Sequence, residues 1–322
     1  MTLRIDVFAI DMAVRFRGVT RREGVLIHGP AGVGEFSPFW DYDVPESAPW
    51  LAAALEAADT DFPAPVRETV PVNCTVPAVD PTRARTIVTG SHGCRTAKVK
   101  VAEPGQSLDD DVARVAAVRA ALGPTGKVRV DANGGWTVAQ ALTAVAELSS
   151  FDLEYVEQPV ASVEDLAVVR RRIDVPIAAD ESIRRAADPL RVKEIGAADI
   201  AVLKVQPLGG VRACLALAEQ IDMPVVVSSA LETSVGIAAG VALAAALPEL
   251  PYACGLATTS MLTADVTREA MTPVDGALAV RPVAPDSSLI DAVRPDAETT
   301  ARWSERLDAC RAVLAGQRKV AR

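Results

Sequence analysis

Six residues of this 322-residue chain combine type and spacing in a way that could do chemistry. Lys98 and Lys100 stand two apart in TAKVK, Asp131 ends KVRVD, Glu157 ends LEYVE, Asp180 ends PIAAD, and Lys204 follows the apolar run IAVL. From Asp131 to Lys204 the members follow one another at 26, 23 and 24 residues. Three carboxylates gathered at one point could not all stay ionised without a cation. Oxygen ligands with no histidine or cysteine among them select a hard divalent ion, Mg²⁺ above all. Asp180 and Glu181 are neighbours and either could be the third ligand; its place at a strand end favours Asp180. A lysine buried in a run as apolar as that around Lys204 is costly unless something negative faces it. Lys98 and Lys100 point to the same side of a strand. Their mutual repulsion and burial would both lower a lysine pKa, and a lowered lysine is a usable base. His28 and His92 lie before this series and not at strand ends, so acid–base work falls to lysine.

Such spacing requires a repeating scaffold. From about residue 97 onward, short β-rich runs ending in polar residues alternate with Ala-, Leu- and Val-rich helical stretches. The strand runs are TAKVKVA, KVRVDANGG, LEYVEQPV, PIAADES, DIAVLKVQ, PVVVSSALE and ACGLATT. Helices are predicted near 108–122, 137–149, 163–172, 188–195, 210–220 and 234–246. Repeated βα units of this length give a parallel sheet. Seven in a row without a dinucleotide fingerprint favour a closed β/α barrel, whose catalytic groups lie at the C-terminal ends of the strands. TAKVK is then the first barrel strand and Lys204 arrives on the fifth, across the barrel from it. Residues 1–90 read as an α+β capping domain and 91–269 as the catalytic barrel. Residues from about 270 to 322 are left to return to the cap or to close the barrel. GPAGVGEF reads as a hairpin turn.

Composition narrows the function classes. The formal net charge is −9 and half the residues are apolar, as in an ordinary globular protein without a basic stripe for nucleic acid. RRE at 21–23 and RRR at 170–172 are short and read as solvated. The start, MTLRIDVFAIDMAVRF, does not have the pattern of a signal peptide, and the longest apolar run, Val235 to Leu247, is too short to span a bilayer, which needs ~20 residues. A cytoplasmic enzyme acting on a small molecule is expected, with no membrane, nucleic-acid or obligate protein partner. The five cysteines form no CxxC pair and read as free, buried thiols.

The ordered set TAKVK, RVDANGGW, YVEQPV, PIAADES and VLKVQPLGG is similar to the enolase superfamily, in its muconate-lactonizing subgroup with a lysine on each side of the site. Within it, SSALETSVGIAAG and the compact length most resemble the actinobacterial o-succinylbenzoate synthase family. The resemblance covers essentially the whole chain. It implies a (β/α)7β-type modified TIM barrel with an N-terminal α+β cap. It also implies that Asp131, Glu157 and Asp180 hold Mg²⁺, that Lys100 is the base with Lys98 keeping its pKa down, and that Lys204 is the opposing cation. Arg129, Asn133, Ser228 and Ser229 become candidate substrate contacts, and RFRGVTRREG (15–24) resembles a mobile loop that closes such sites. The implied reaction is dehydration of 2-succinyl-6-hydroxy-2,4-cyclohexadiene-1-carboxylate in menaquinone biosynthesis, by proton abstraction next to a metal-bound carboxylate and syn loss of water. N-succinylamino acid racemases and cycloisomerases share the constellation and are the alternative. Dipeptide epimerases usually carry an Asp-x-Asp pair near the last strand, which CGLATTSMLTADV lacks.

Overall fold

The first two runs pair antiparallel, each with a continuous buried stretch, Val7–Ile10 and Gly24–Ile27. In the computed structural model, which describes residues 4–16 and 18–320, β1 (Arg4–Phe16) pairs with β2 (Val19–His28), Val7 opposite Val25. GPAG (29–32) makes the turn expected of GPAGVGEF, and the remaining VGEF is β3 (Val33–Phe36), which completes a three-stranded sheet. α1 (Val44–Asp59) starts at a reciprocal capping box between Asp43 and Glu46 and lays Trp50, Leu51 and Ala54 on that sheet. Together these elements form the cap.

The chain then passes through β4 (Thr69–Pro71) into the barrel. Its units are β5 (Cys74–Val76), α2 (Pro81–Thr89), β6 (Thr96–Lys100), α3 (Leu108–Leu122), β7 (Lys127–Asp131), α4 (Val138–Leu148), β8 (Leu153–Glu157) and α5 (Val163–Arg170). They continue with β9 (Ile177–Ala179), the short α6 (Glu181–Arg184) and α7 (Arg191–Glu194), β10 (Ile200–Leu203), α8 (Val211–Ile221), β11 (Val225–Val227) and α9 (Ser234–Ala246). β5 to β11 form one seven-stranded parallel sheet in sequence order. Closure comes from the ACG segment: Cys254 bridges Val72 just before β5, and Gly255 bridges Ser228 just after β11. The strands are short and almost wholly buried, as parallel strands covered on both faces must be.

Here the structure departs from the sequence reading. The first barrel strand is β5, inside the segment assigned to the cap, so β6 is the second strand and β10 the sixth. β5 has three residues and lies between Pro71 and Pro77, too short to show any period. Counted among eight strands, β6 and β10 remain opposite each other. The expected division near residue 90 falls between α2 and β6.

α9 accounts for the longest apolar run. It is buried from Ser234 to Ala245, because the barrel lies on one side and β3 and β4 of the cap region on the other. β12 (Ala277–Ala279) pairs with β4, and α10 (Ser287–Ala292) leads to α11 (Ala297–Val320), which returns to the cap. Trp303 and Leu307 of α11 pack with Trp50 and Leu51, and Trp303 meets Phe36 edge to face at 5.9 Å. The five cysteines are free and buried. Among the described residues, no helix is long and apolar enough to cross a membrane.

Candidate active site

Parallel pairing fixes the level of each polar strand end. Lys100 lies beside Asp131, and Asp131 beside Glu157. Asp180 follows β9 and Lys204 follows β10, each one residue beyond the strand. Five neighbouring strands thus deliver five buried charges to one end of the barrel, and Lys98 adds a sixth from one layer below.

The charges interlock. Lys98 Nζ donates to Glu157 Oε1 at 2.7 Å and lies 3.0 Å from Asp131 Oδ2. Lys100 Nζ donates to that same Asp131 oxygen at 2.5 Å and to Asn133 Oδ1 at 2.6 Å. Lys204 Nζ donates to Asp180 Oδ2 at 2.7 Å. Arg184 Nε donates to Asp180 Oδ1 at 2.8 Å, and the same guanidinium donates to Glu181 and to the Tyr42 hydroxyl of the cap. Asp180, not Glu181, faces the lysines; Glu181 takes Arg184 and Asn133.

Titration behaviour follows from this crowding. Burial alone would lift Asp131, but Lys100 and Lys98 hold it well below the usual carboxylate range. Asp180 is held low in the same way by Arg184 and Lys204. Glu157 goes the other way: burial, then Asp131, push it up to about 7 despite Lys98. Burial lowers Lys204 against the pull of Asp180. Lys98 corrects an expectation. Burial acts to lower it, but Asp131 and Glu157 more than offset this and hold it well above an ordinary lysine. Direct contact with two carboxylates outweighs burial.

The donor chemistry suits a hard cation. Glu157 Oε2 is buried and accepts no hydrogen bond from the described residues, an expensive condition for a carboxylate oxygen. Yet among the described residues no three acidic, histidine or cysteine side chains are grouped as a ready-made metal site. Lysine ammoniums stand between the carboxylates instead.

A narrow cleft opens above the charges. Lys98, Lys100, Lys204 and Arg184 line its floor, and Ser228 to Leu231 line one wall. Phe16 and Phe39 of the cap cover it, with Lys100 Nζ 5.1 Å from the centre of the Phe16 ring. A larger hollow of about 430 Å³ lies alongside, between α2 and residues 257–273. It shares Thr75 with the cleft but holds none of the lysines, so the charges and not the volume mark the site.

Ser228 and Ser229 line the cleft, and Ser229 shares a hydrogen bond with Thr258 at 2.8 Å. Asn133 holds Lys100. Arg129 does not reach the cleft. It lies two residues before Asp131 on the same face of β7, one layer down the barrel, and donates to Glu154, Asn73 and the Ala253 carbonyl. The segment expected to be a mobile loop forms the tip of the β1–β2 hairpin, and its Arg17 lies outside the described residues. Sequence reasoning missed Arg184, although its place one helical turn after Asp180 was a usable signal. It also missed Arg22, read as solvated but only 3% exposed. Strand alternation points Arg21 outward and Arg22 inward.

Comparison with known proteins agrees with this fold. Residues 83–285 match the Enolase C-terminal domain-like family and residues 7–58 the Enolase N-terminal domain-like family. The chain is 62% identical over 305 residues to the o-succinylbenzoate synthase of Thermobifida fusca, covering 95% of each chain. It is 56% identical to that of Mycolicibacterium smegmatis, over 97% of this chain and 96% of the relative. Its fold is similar to that of a muconate lactonizing enzyme from Pseudomonas fluorescens (TM-score 0.79, 22% identity, 91% of this chain and 98% of that one). It is also similar to the L-Ala-D/L-Glu epimerase of Bacillus subtilis (TM-score 0.75, 24% identity, 88% and 97%). With most of its length inside the enolase C-terminal domain model and full-length relatives at this identity, the chain belongs to the o-succinylbenzoate synthase family of the enolase superfamily.

Proposed function

We propose that this chain dehydrates 2-succinyl-6-hydroxy-2,4-cyclohexadiene-1-carboxylate to o-succinylbenzoate, a cytoplasmic step of menaquinone biosynthesis. The observation that carries the reading is a lysine on each side of one carboxylate cluster, Lys100 from the second barrel strand and Lys204 from the sixth, in a member of this family. Asp131, Glu157 and Asp180 would hold Mg²⁺, with Glu157 Oε2 the oxygen most in need of a cation. When bound, the ion supplies positive charge beside the substrate carboxylate, which makes the adjacent C–H more acidic.

Lys100, as the neutral amine, takes the proton next to the carboxylate. The electron pair of the broken C–H bond is delocalised toward that carboxylate, and the Lys204 ammonium faces the resulting charge. As the pair returns to form the ring double bond, the C–O bond to the hydroxyl breaks. Lys100 gives the leaving oxygen the proton it took, water departs, and the amine is restored. Proton removal and delivery by one group require departure from the same face. Asn133 orients Lys100, Lys98 balances Asp131 and Glu157, and Ser228 and Ser229 contact substrate. In this division of labour the barrel supplies the chemistry, and the cap elements β1 to α1, with α11 packed on them, cover it.

A second reading rests on the same pair. Lysines on opposite sides could remove and return a proton on opposite faces, which is racemisation of an N-succinylamino acid. Purified protein with Mg²⁺ should rapidly remove the cyclohexadiene absorbance of the dehydration substrate. No loss from folded, metal-loaded protein, together with exchange of the α-proton of an N-succinylamino acid, would replace the first reading by the second.

A further inference from the structure

The cleft wall formed by Ser228 to Leu231 belongs to the barrel, yet much of what holds it comes from the cap. Arg22 of β2 is buried. Its Nε donates to the Leu231 carbonyl at 3.0 Å, and its Nη2 to the carbonyls of Ser37 at 2.6 Å and Ala230 at 3.3 Å. Its guanidinium lies 4.4 Å from the centre of the Phe39 ring, which also lines the cleft. Glu35 of β3 grips the other end of the same loop. Its Oε2 accepts from Thr233 Oγ1 at 2.6 Å and from the Thr233 and Gly236 amides at 3.1 and 3.2 Å, on the first turn of α9. Glu35 can come this close because position 236 is glycine. A Cβ there would lie 3.0 Å from Glu35 Oε2 and 2.4 Å from the Glu232 Cβ.

Between the two grips the loop is strained. Leu231 has φ +66°, a left-handed backbone that a branched apolar residue adopts only when its surroundings force it. The two wall carbonyls that Arg22 ties are those of Leu231 and Ala230, the residue before it. Neither Arg22 nor Glu35 touches a lysine or carboxylate of the site through any of these bonds.

We infer that Arg22 and Glu35 are positioning residues: the cap fixes the shape of the substrate-facing wall Ser228–Leu231 by holding its carbonyls with Arg22 and the helix start behind it with Glu35. The kinetic half of this inference rests on the dehydration reading; the structural half does not.

The test is Arg22→Met, with Arg22→Lys as the conservative variant. Arg22→Met should raise KM for the dehydration substrate about tenfold while kcat stays within about threefold, because the wall is loosened and the lysines are not. Amides of residues 229–236 should exchange with deuterium about tenfold faster, while those of β6 to β8 keep their protection. Arg22→Lys, which can still reach one carbonyl, should fall between. Unchanged KM and unchanged loop protection in folded Arg22→Met would overturn the inference, as would a fall in kcat at constant KM. If the Met variant does not fold, Arg22→Lys and Glu35→Gln carry the same two readouts. If wild-type protein does not turn over the substrate, the functional reading fails and hydrogen exchange alone decides this one.

Discussion

Strand β7 carries two buried charges two residues apart on one face of the barrel, and they behave differently. Arg129, one layer down, is held by partners that cannot move far: the Ala253 carbonyl, Asn73, Glu154 and the rings of Tyr155 and Tyr252 at 4.7 and 5.7 Å. Asp131, at the mouth, shares one oxygen between two long lysine side chains. The lower layer is a charge fixed by scaffold, and the mouth is a set of charges fixed by one another. In the mouth one carboxylate oxygen is left over, on Glu157, and that carboxyl is pushed up to about 7. Arg129 also has one buried atom, Nη2, without a hydrogen-bond partner among the described residues, but its other donors are held by the scaffold. A cluster whose charges answer one another and still leave an oxygen unanswered is built to receive something.

The sharpest way to break this contrast is to remove the lysines of the mouth. Lys100→Ala and Lys204→Ala should each lower turnover by about 10³-fold or more, the scale of lost acid–base and electrostatic assistance, with little change in melting temperature. Near-normal rates in either would mean that the mouth is as structural as the layer below. A comparable loss should follow chelation: EDTA should abolish turnover and Mg²⁺ should restore it. Full activity in chelator would leave the leftover Glu157 oxygen without a purpose.

The lower layer should show the opposite pattern. Arg129→Met strands the partly buried Glu154 and takes the cation away from the rings of Tyr155 and Tyr252. It should destabilise the protein by about 3 kcal/mol, the cost of breaking a buried pair from one side. The fraction that remains folded should keep kcat and KM within about twofold. Chemical denaturation followed by kinetics on the same samples separates the two. A large rise in KM with normal stability would restore Arg129 as a substrate contact.

This contrast also explains what the sequence could reveal. Asp131, Glu157, Asp180 and Lys204 were legible because each ends a strand, and the βα unit repeats at a length that brings strand ends into register. Arg129 was misjudged because types and spacing give the face of a strand but not the depth along it: two residues are one layer. β5 was hidden because three residues between prolines carry no period, yet the cost was small, since adding a strand before β6 kept Lys100 and Lys204 opposite. The clasp by Arg22 and Glu35 was illegible for another reason. It joins residues some two hundred positions apart, across a seam whose geometry no local pattern encodes.

Glu35 lies between the two regimes and gives the smallest and most diagnostic effect. Like Arg129 it is held by fixed donors, Thr233, Gly236 and Ser37; like the mouth it is crowded, because Glu232 lies near it. Burial first, then Glu232, push its carboxyl up to about 7, against Thr233, Ser37 and Arg22. The folded protein therefore keeps a proton there that the unfolded chain has already released, between about pH 4.5 and 7. Stability from this group is present at the acid end of that window and is lost as pH rises through it. The fall is on the order of 1–3 kcal/mol, because each tenfold gain in proton affinity on folding is worth about 1.4 kcal/mol. Glu35→Gln cannot titrate, so its urea midpoint should be flatter between pH 5 and 8, and its deficit relative to wild type should shrink as pH rises. Parallel curves for the two proteins would mean that the fixed donors win, that Glu35 stays ionised throughout, and that the seam belongs with the lower layer of the barrel and not with the mouth.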